Sequence, residues 1–535
     1  RAAHIRLLES LDPLLHPSHH TAASTLLSHL LHPPAPPARV QSAKDEQSSL
    51  LDAWIENHVG AALAQRLQLS LFPLTGRGLA STRPLRRGEP ALLLPERLIL
   101  SSSHALAIPR LAAAIERACA VAGQQMHDDV LLALALLAQP FSDPSGAWSC
   151  YLPLLPANPP NALLWQARQL SRLSGTPVPA RVLSVRQALL QLWQILTPHL
   201  TSYFPPHEFT WQRFLWAYAI VESRGISLDL GGGDRQSVLR SFVFECLVDV
   251  GVGQELQLYY GRLPAIQTLQ FYGFVESELL PHEAVQIELE PPDETHEEAE
   301  VEGDSDVAVR RLELLDRLGL GLSHFLTPES GVPPKLLASL RVCVLTSAQV
   351  CQLQGLGLHP AAQHNSQPRS FPFVPLDQQN EMMALQALTA ILEAQVDEIV
   401  LGVALPEALA WEEQAAAAQA HVQAEMDASE AGGCHPHLKA CTWWPRISDA
   451  DEAAQMASVN EAIESLRAVY LKCYTSALVH ASSLMEEAAT FSGAESSFIE
   501  SAQLVSGTTE ERATDGDHLN SDFFEDQVSR RQRIL

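Results

Sequence analysis

The feature that most constrains this chain is a change of texture that occurs twice. From Leu69 to Leu98, short apolar runs (LSLFPL, TGRGLA, RRGEPALLLP) are broken by Gly and Pro, which reads as short strands joined by tight turns. From His104 to Arg224 apolar residues fall at helical spacing, as in Asp129-Leu131-Leu132-Leu134-Ala135 and from Phe209 to Val221, with a Pro-rich break at Tyr151 to Pro160. Gly225 to Glu276 returns to strand texture in SFVFECLVDV and ELQLYY. Two β-rich blocks thus flank a helical insert, and the expected fold class is α+β.

The flanks extend this plan. Leu51, Trp54, Ile55, Val59 and Ala62 place a helix just after the polar stretch Gln41 to Ser49. From Val309 onward helical periods dominate, in Leu312-Leu314-Leu315-Leu318, Leu336-Leu337-Leu340 and Leu466-Val469-Tyr470-Cys473, so an all-α C-terminal domain is expected. Between them, Glu288 to Asp306 holds ten Asp or Glu and no Lys or Arg. Such a run repels itself and is expected to be a solvated linker, with a docking site for a basic partner as the alternative. The resulting division is a disordered leader at 1–49, a domain at 50–280 with its helical insert at about 104–224, and an acidic linker at 281–308. The all-α domain follows at 309–505, with an Ala-rich insertion at about 405–450, and then a disordered tail at 506–535.

Composition narrows the function. The formal net charge is −27 over 535 residues, which argues against nucleic acid and anionic membranes, because both require clustered Lys and Arg. The longest wholly apolar run, Val130 to Ala138, is nine residues, well short of the roughly 20 needed to cross a bilayer. Eight cysteines lack the density of a disulfide scaffold, so an intracellular, reducing compartment is expected. Cytoplasm, nucleus and plastid are not distinguished. The leader is rich in His, Ser and Ala and weakly resembles a transit peptide.

Several motifs bear on chemistry, and each has a bland reading beside the functional one. Gly76-Arg77-Gly78 permits close approach of a ligand to the backbone, but a lone G-x-G is a common turn. Arg224 stands where a helix gives way to a strand block; it can fork onto a carboxylate or simply complement a helix C-terminus. Tyr259-Tyr260-Gly261 and Tyr272-Gly273-Phe274 read as two tyrosine-bearing turns, or as aromatic core. Cys434-His435-Pro436-His437 with Cys441 offers four potential zinc ligands within eight residues, but a structural zinc site spreads its ligands over two knuckles, so chance clustering is the reading adopted.

Taken in order, four motifs resemble the SET-domain methyltransferases. They are G-R-G-L-A-S, then W-x-x-Y-L-x-x-L-P at Trp148 to Pro156, then F-x-W-A with S-R at Phe214 to Arg224, then G-Q-E-L with Y-G and Y-G-F at Gly253 to Phe274. The split by a helical insert is similar to the Rubisco large-subunit lysine methyltransferase group, whose helical substrate-binding domain is resembled by LLASLRV (Leu336 to Val342), NEMMAL (Asn380 to Leu385) and LRAVYLKCY (Leu466 to Tyr474). The resemblance covers about Leu50 to Leu484. It implies a β-rich SET fold and an S-adenosylmethionine-dependent protein-lysine N-methyltransferase acting on a protein substrate. It also implies that Gly76, Arg77 and Gly78 contact the cofactor through the backbone, that Arg224 meets the methionyl carboxylate, and that Phe274 lines the cofactor pocket. Tyr260 would be the active-site tyrosine and Tyr272 would line the lysine channel. The resemblance implies no metal and no particular oligomeric state.

One departure bears on activity. Family members carry, between S-R and the G-E-E-like turn, a segment with an Asn-His pair whose backbone holds the adenine, whereas this chain has no Asn between Asn161 and Asn365 and the interval Gly225 to Val252 is short. The alternative reading is therefore a non-catalytic interaction platform with a SET-like scaffold, or a gene model lacking an exon. A histidine target is a lesser variant, since the channel residues decide the nucleophile.

Overall fold

The computed structural model describes residues 53–59, 66–72, 76–200, 203–205, 208–228, 241–260, 263–276, 280, 283–290, 305–329, 331–355, 371–402, 405–430, 449–489 and 532–534. In chain order the strands are β1 (Leu67–Phe72), β2 (Gly76–Ser81), β3 (Pro90–Pro95), β4 (Ile226–Leu228), β5 (Ser241–Glu245), β6 (Glu255–Leu256), β7 (Val285–Glu288), β8 (Ser323–Leu326) and β9 (Gln532–Ile534). Among the described residues they form four small antiparallel sheets: β1-β2-β6, β3-β5, β4-β9 and β7-β8. The two β-rich blocks are joined here, because β6 pairs with β2 and β5 with β3 across the whole insert.

Helices of eight residues or more are labelled in chain order. The insert supplies α1 (Pro109–Ala122), α2 (Asp128–Ser142), α3 (Val178–Leu200) and α4 (Trp211–Arg224). α1 opens with Pro109, where a missing N–H costs nothing, and buries Leu111, Ala114, Ile115 and Ala118, one face at helical spacing. α4 is capped by the Thr210 hydroxyl, which accepts from the Arg213 N–H at 3.3 Å, and buries Trp211, Phe214, Leu215 and Trp216. Then come α5 (Ala265–Tyr272), α6 (Ser305–Arg317), α7 (Pro334–Cys343), α8 (Ser347–Gly355), α9 (Gln378–Leu401), α10 (Pro406–Glu430) and α11 (Asp449–Ala489).

The protein is thus mostly helical with small sheets. One continuous core holds buried residues of the insert, such as Leu134, Trp193 and Phe214, together with Leu388 of α9 and Leu466 and Tyr470 of α11. Polar ties follow the same seam: Arg172 pairs with Glu464 and donates to Asn460 Oδ1 at 2.7 Å, and Gln455 donates to the Asn158 carbonyl at 2.6 Å.

Several elements differ from the sequence expectation. The stretch from Ala265 to Tyr272 is helical, because its Thr268 and Leu269 bury one face and the Glu283 carboxylate accepts from the Ala265 and Ile266 N–H groups at its start. The region expected as acidic linker contains β7, whose Val285 and Ile287 alternate inward while Gln286 and Glu288 face outward. Its partner β8 lies in the stretch expected to be all-α. The Ala-rich stretch expected as an insertion is the helix α10, and Gln532–Ile534, within the expected tail, pair with β4. The leader and the Cys434–Cys441 cluster lie outside the described residues.

Candidate functional site

Helix α4 delivers Arg224 as its last residue, and β4 begins two residues later. Arg224 donates from Nη1 to the Ser223 hydroxyl at 2.7 Å, while Ser223 itself donates to the Ala219 carbonyl. Arg224 is exposed by surface area, yet protein crowds its guanidinium closely enough that burial lowers its pKa. A guanidinium that keeps accessible surface while protein atoms crowd around it is what the wall of a recess would present, and this place is here called the recess. The ionisable side chains that lie close to it are Tyr151 and Tyr260. Among the described residues no carboxylate is paired with it.

Tyr260 reaches this recess from the other β-block. β6 pairs Leu256 with Leu79 of β2, and the same antiparallel direction carries 257–260 toward the Gly76 end of β2. Tyr260 stays 42% exposed. Its ring lies 4.4 Å from that of Tyr272 and 6.4 Å from that of Phe274, and the latter two are 6.1 Å apart. Helix α5 ends at Tyr272, and Gly273 turns the chain in the left-handed region at φ 72° so that Phe274 comes back against the same pair. The rings of Tyr260, Tyr272 and Phe274 are thereby brought together, and Arg224, up to 50 residues away in the chain, lies within electrostatic reach of Tyr260.

The G-x-G lies within β2 rather than in a turn between strands: Gly76 pairs with Phe72 and Gly78 with Ser70. A side chain at Gly78 would require its neighbours to adjust, the mobile end of Glu255 foremost. A Cβ there would sit 2.7 Å from Glu255 Oε1 and 3.2 Å from the Phe72 ring. Gly76 and Arg77 are placed by backbone pairing only, with Arg77 opposite Leu71.

Sequence reasoning assigned no role to several neighbours. Tyr151 is 4.8 Å from the Trp54 ring and 5.5 Å from Trp148, and Trp54 Nε1 donates to the Ala147 carbonyl at 2.8 Å, so an aromatic group flanks Arg224 on its Tyr151 side. The W-x-x-Y spacing carried that signal. Asn161 is fully buried; its Nδ2 donates to Glu222 Oε2 at 2.7 Å and to the Phe271 carbonyl at 3.3 Å, and its Oδ1 accepts from the Leu163 N–H at 2.9 Å. One of two asparagines in a Pro-rich loop gives no such signal. Chemically, the aromatic walls suit an alkylammonium or sulfonium cation, and the guanidinium suits a carboxylate.

This fold is found in SET-domain protein methyltransferases. Rubisco LSMT bound to AdoMet matches at TM-score 0.53 and 15% identity over 86% of this chain and 98% of that one, and Rubisco LSMT bound to sinefungin and monomethyllysine matches at 0.55 with the same identity and coverage. Among curated proteins, the actin-histidine N-methyltransferase of Drosophila melanogaster is 24% identical over 209 residues. That alignment spans 35% of this chain and 36% of the fly protein, so the chain matches about a third of that relative's length. The sequence matches no family profile.

Proposed function

We propose that the chain is an S-adenosylmethionine-dependent protein N-methyltransferase whose target is a lysine side chain of an intracellular protein. In this reading 50–280 is a SET domain split by the insert, and the mainly helical stretch 309–505 holds the protein substrate. The observation that carries the reading is the cluster of Tyr260, Tyr272 and Phe274 with Arg224 within electrostatic reach of Tyr260. The recess fits the cofactor's amino-acid end, since Arg224 is accessible and unpaired with any described carboxylate. The adenine end would rest on the interval after Arg224, of which 229–240 lie outside the described residues.

When bound, S-adenosylmethionine supplies an electrophilic methyl group. The chain's own residues do the rest. Arg224 holds the methionyl carboxylate, and the β2 backbone at Gly76 to Gly78 flanks the cofactor. Tyr260 and Tyr272 wall a channel that strips water from a lysine, lowering its pKa from an ordinary value of about 10.4 so that the neutral amine is presented. Orientation within that channel supplies much of the rate enhancement.

A histidine target is the second reading, supported by the fly relative, the better match in identity. Calorimetric titration with S-adenosylmethionine tests the core of the proposal: we expect binding to the wild type and at least tenfold weaker binding to Arg224→Ala. Absence of heat from the wild type would instead favour a non-catalytic platform. Acid hydrolysis of a protein substrate labelled from methyl-tritiated cofactor then separates methyl-lysine from methyl-histidine.

A further inference from the structure

Three segments of chain meet on the side chain of Asn161. The first is the loop after the Pro-rich break, through the Leu163 N–H; the second is the end of α4, through Glu222; the third is the end of α5, through the Phe271 carbonyl. Glu222 is two residues before Arg224, and Phe271 immediately precedes Tyr272. The neighbouring Pro160 packs on the turn itself, since a Cβ on Gly273 would lie 2.4 Å from the Pro160 carbonyl oxygen. The loop is held in turn from below: the buried Arg186 donates to the carbonyls of Ala162, Leu163 and Trp165.

A primary amide is suited to this position. It has two N–H donors for two acceptors on different helices, and an oxygen for the loop N–H. An aspartate of the same shape would keep the loop bond but set a carboxylate against the Glu222 carboxylate. Asn161 itself is fully buried, so the amide has no solvent to turn to and the loss of either bond is felt at the helix ends it ties.

We propose that Asn161 is a positioning residue that registers the Arg224 end of α4 against the Tyr272-Gly273-Phe274 turn, fixing the distance between the carboxylate-binding and aromatic parts of the recess. It touches no reacting atom; it acts through Glu222 and Phe271. The cofactor consequence rests on the function proposed above, whereas the structural consequence does not.

Hydrogen exchange on the full chain reads the register directly, at the Gly225 amide, which donates to the Val221 carbonyl, and the Gly273 amide, which donates to the Leu269 carbonyl. In Asn161→Asp we expect both amides to exchange at least tenfold faster while α11 is unchanged. Adding Glu222→Gln supplies an N–H donor facing the carboxylate introduced in the loop, and protection at Gly225 should return. Exchange at the wild-type rate in Asn161→Asp, no recovery in the double variant, or equal acceleration throughout α11 would each overturn the proposal. In calorimetry, S-adenosylmethionine should bind Asn161→Asp at least tenfold more weakly than wild type and recover in the double variant. A wild type that takes up no cofactor overturns the functional reading alone, since the exchange measurements still decide the register.

Discussion

Two glycines isolate what the recess demands of a single residue. Gly123 and Gly273 both end helices in the left-handed region, at φ 69° and 72°, and both donate their N–H to a carbonyl four residues back. An alanine at either would incur about 1–2 kcal/mol of backbone strain. They differ in surroundings: a Cβ on Gly123 meets nothing within 4 Å, while one on Gly273 meets the Pro160 carbonyl oxygen at 2.4 Å. We therefore expect Gly273→Ala to destabilise the protein clearly more than Gly123→Ala in urea denaturation, and Gly273→Ala alone to displace Tyr272 and Phe274 and weaken cofactor binding. Equal losses would mean that the Pro160 contact yields freely. At this scale the sequence was informative where a residue type has one strong reason to be present. The glycine between Tyr272 and Phe274 and the arginine closing α4 could be picked out on sight. Asn161 could not, because its three partners are contributed by segments up to 110 residues away.

Among the elements, α10 shows how composition can hide a packing face. Its alanines span both sides of the helix, so no amphipathic stripe is legible, and low complexity suggested an insertion. In the structure Trp411, Ala415 and Ala418 fall four and three residues apart and face the core, with both alanines buried. Trp411 lies 6.0 Å from Trp211, and the Arg186 guanidinium stands 4.6 Å from its ring centroid. Polar contacts at either side fix the register: Glu412 accepts from the Ala167 N–H and Gln419 from the Trp211 N–H, both at 2.8 Å. Burial already pushes Arg186 down to about 10, so its cation depends on the partners it keeps. Trp411→Ala removes a large aromatic and a cation–π contact together, and a loss of about 2–4 kcal/mol is expected from urea denaturation of the full chain. A change within a few tenths would show that α10 is the detachable insertion its composition suggested. The strand β7 is the complementary case, for its alternation of Val285, Ile287 and Leu289 with polar residues was present in the sequence but outweighed by the acidic residues that follow it.

At the scale of the whole molecule, the question is whether the insert and the C-terminal helices unfold as one body. The twofold change of texture made the two β-rich blocks and their helical interruption legible. The core shared by the halves was not, because periodicity shows which face of a helix is apolar but not which helix covers it. The cysteines provide a test. Cys150 and Cys351 are exposed, whereas Cys473, in the middle of α11, is buried and its thiol is pushed up to about 12 by desolvation. In native protein at mildly alkaline pH, iodoacetamide should label Cys150 and Cys351 and leave Cys473 unreacted. Six of the nine tryptophans precede residue 225, so fluorescence reports chiefly on the first half of the chain, while Cys473 reports on the last long helix. Because both halves contribute to one core, labelling of Cys473 along a urea titration should share its midpoint with the tryptophan signal. Separate midpoints, with Cys473 opening first, would instead describe a substrate platform that can detach from an intact insert, and the ties from Arg172 to Glu464 and from Gln455 to Asn158 would then be surface contacts of little energetic weight.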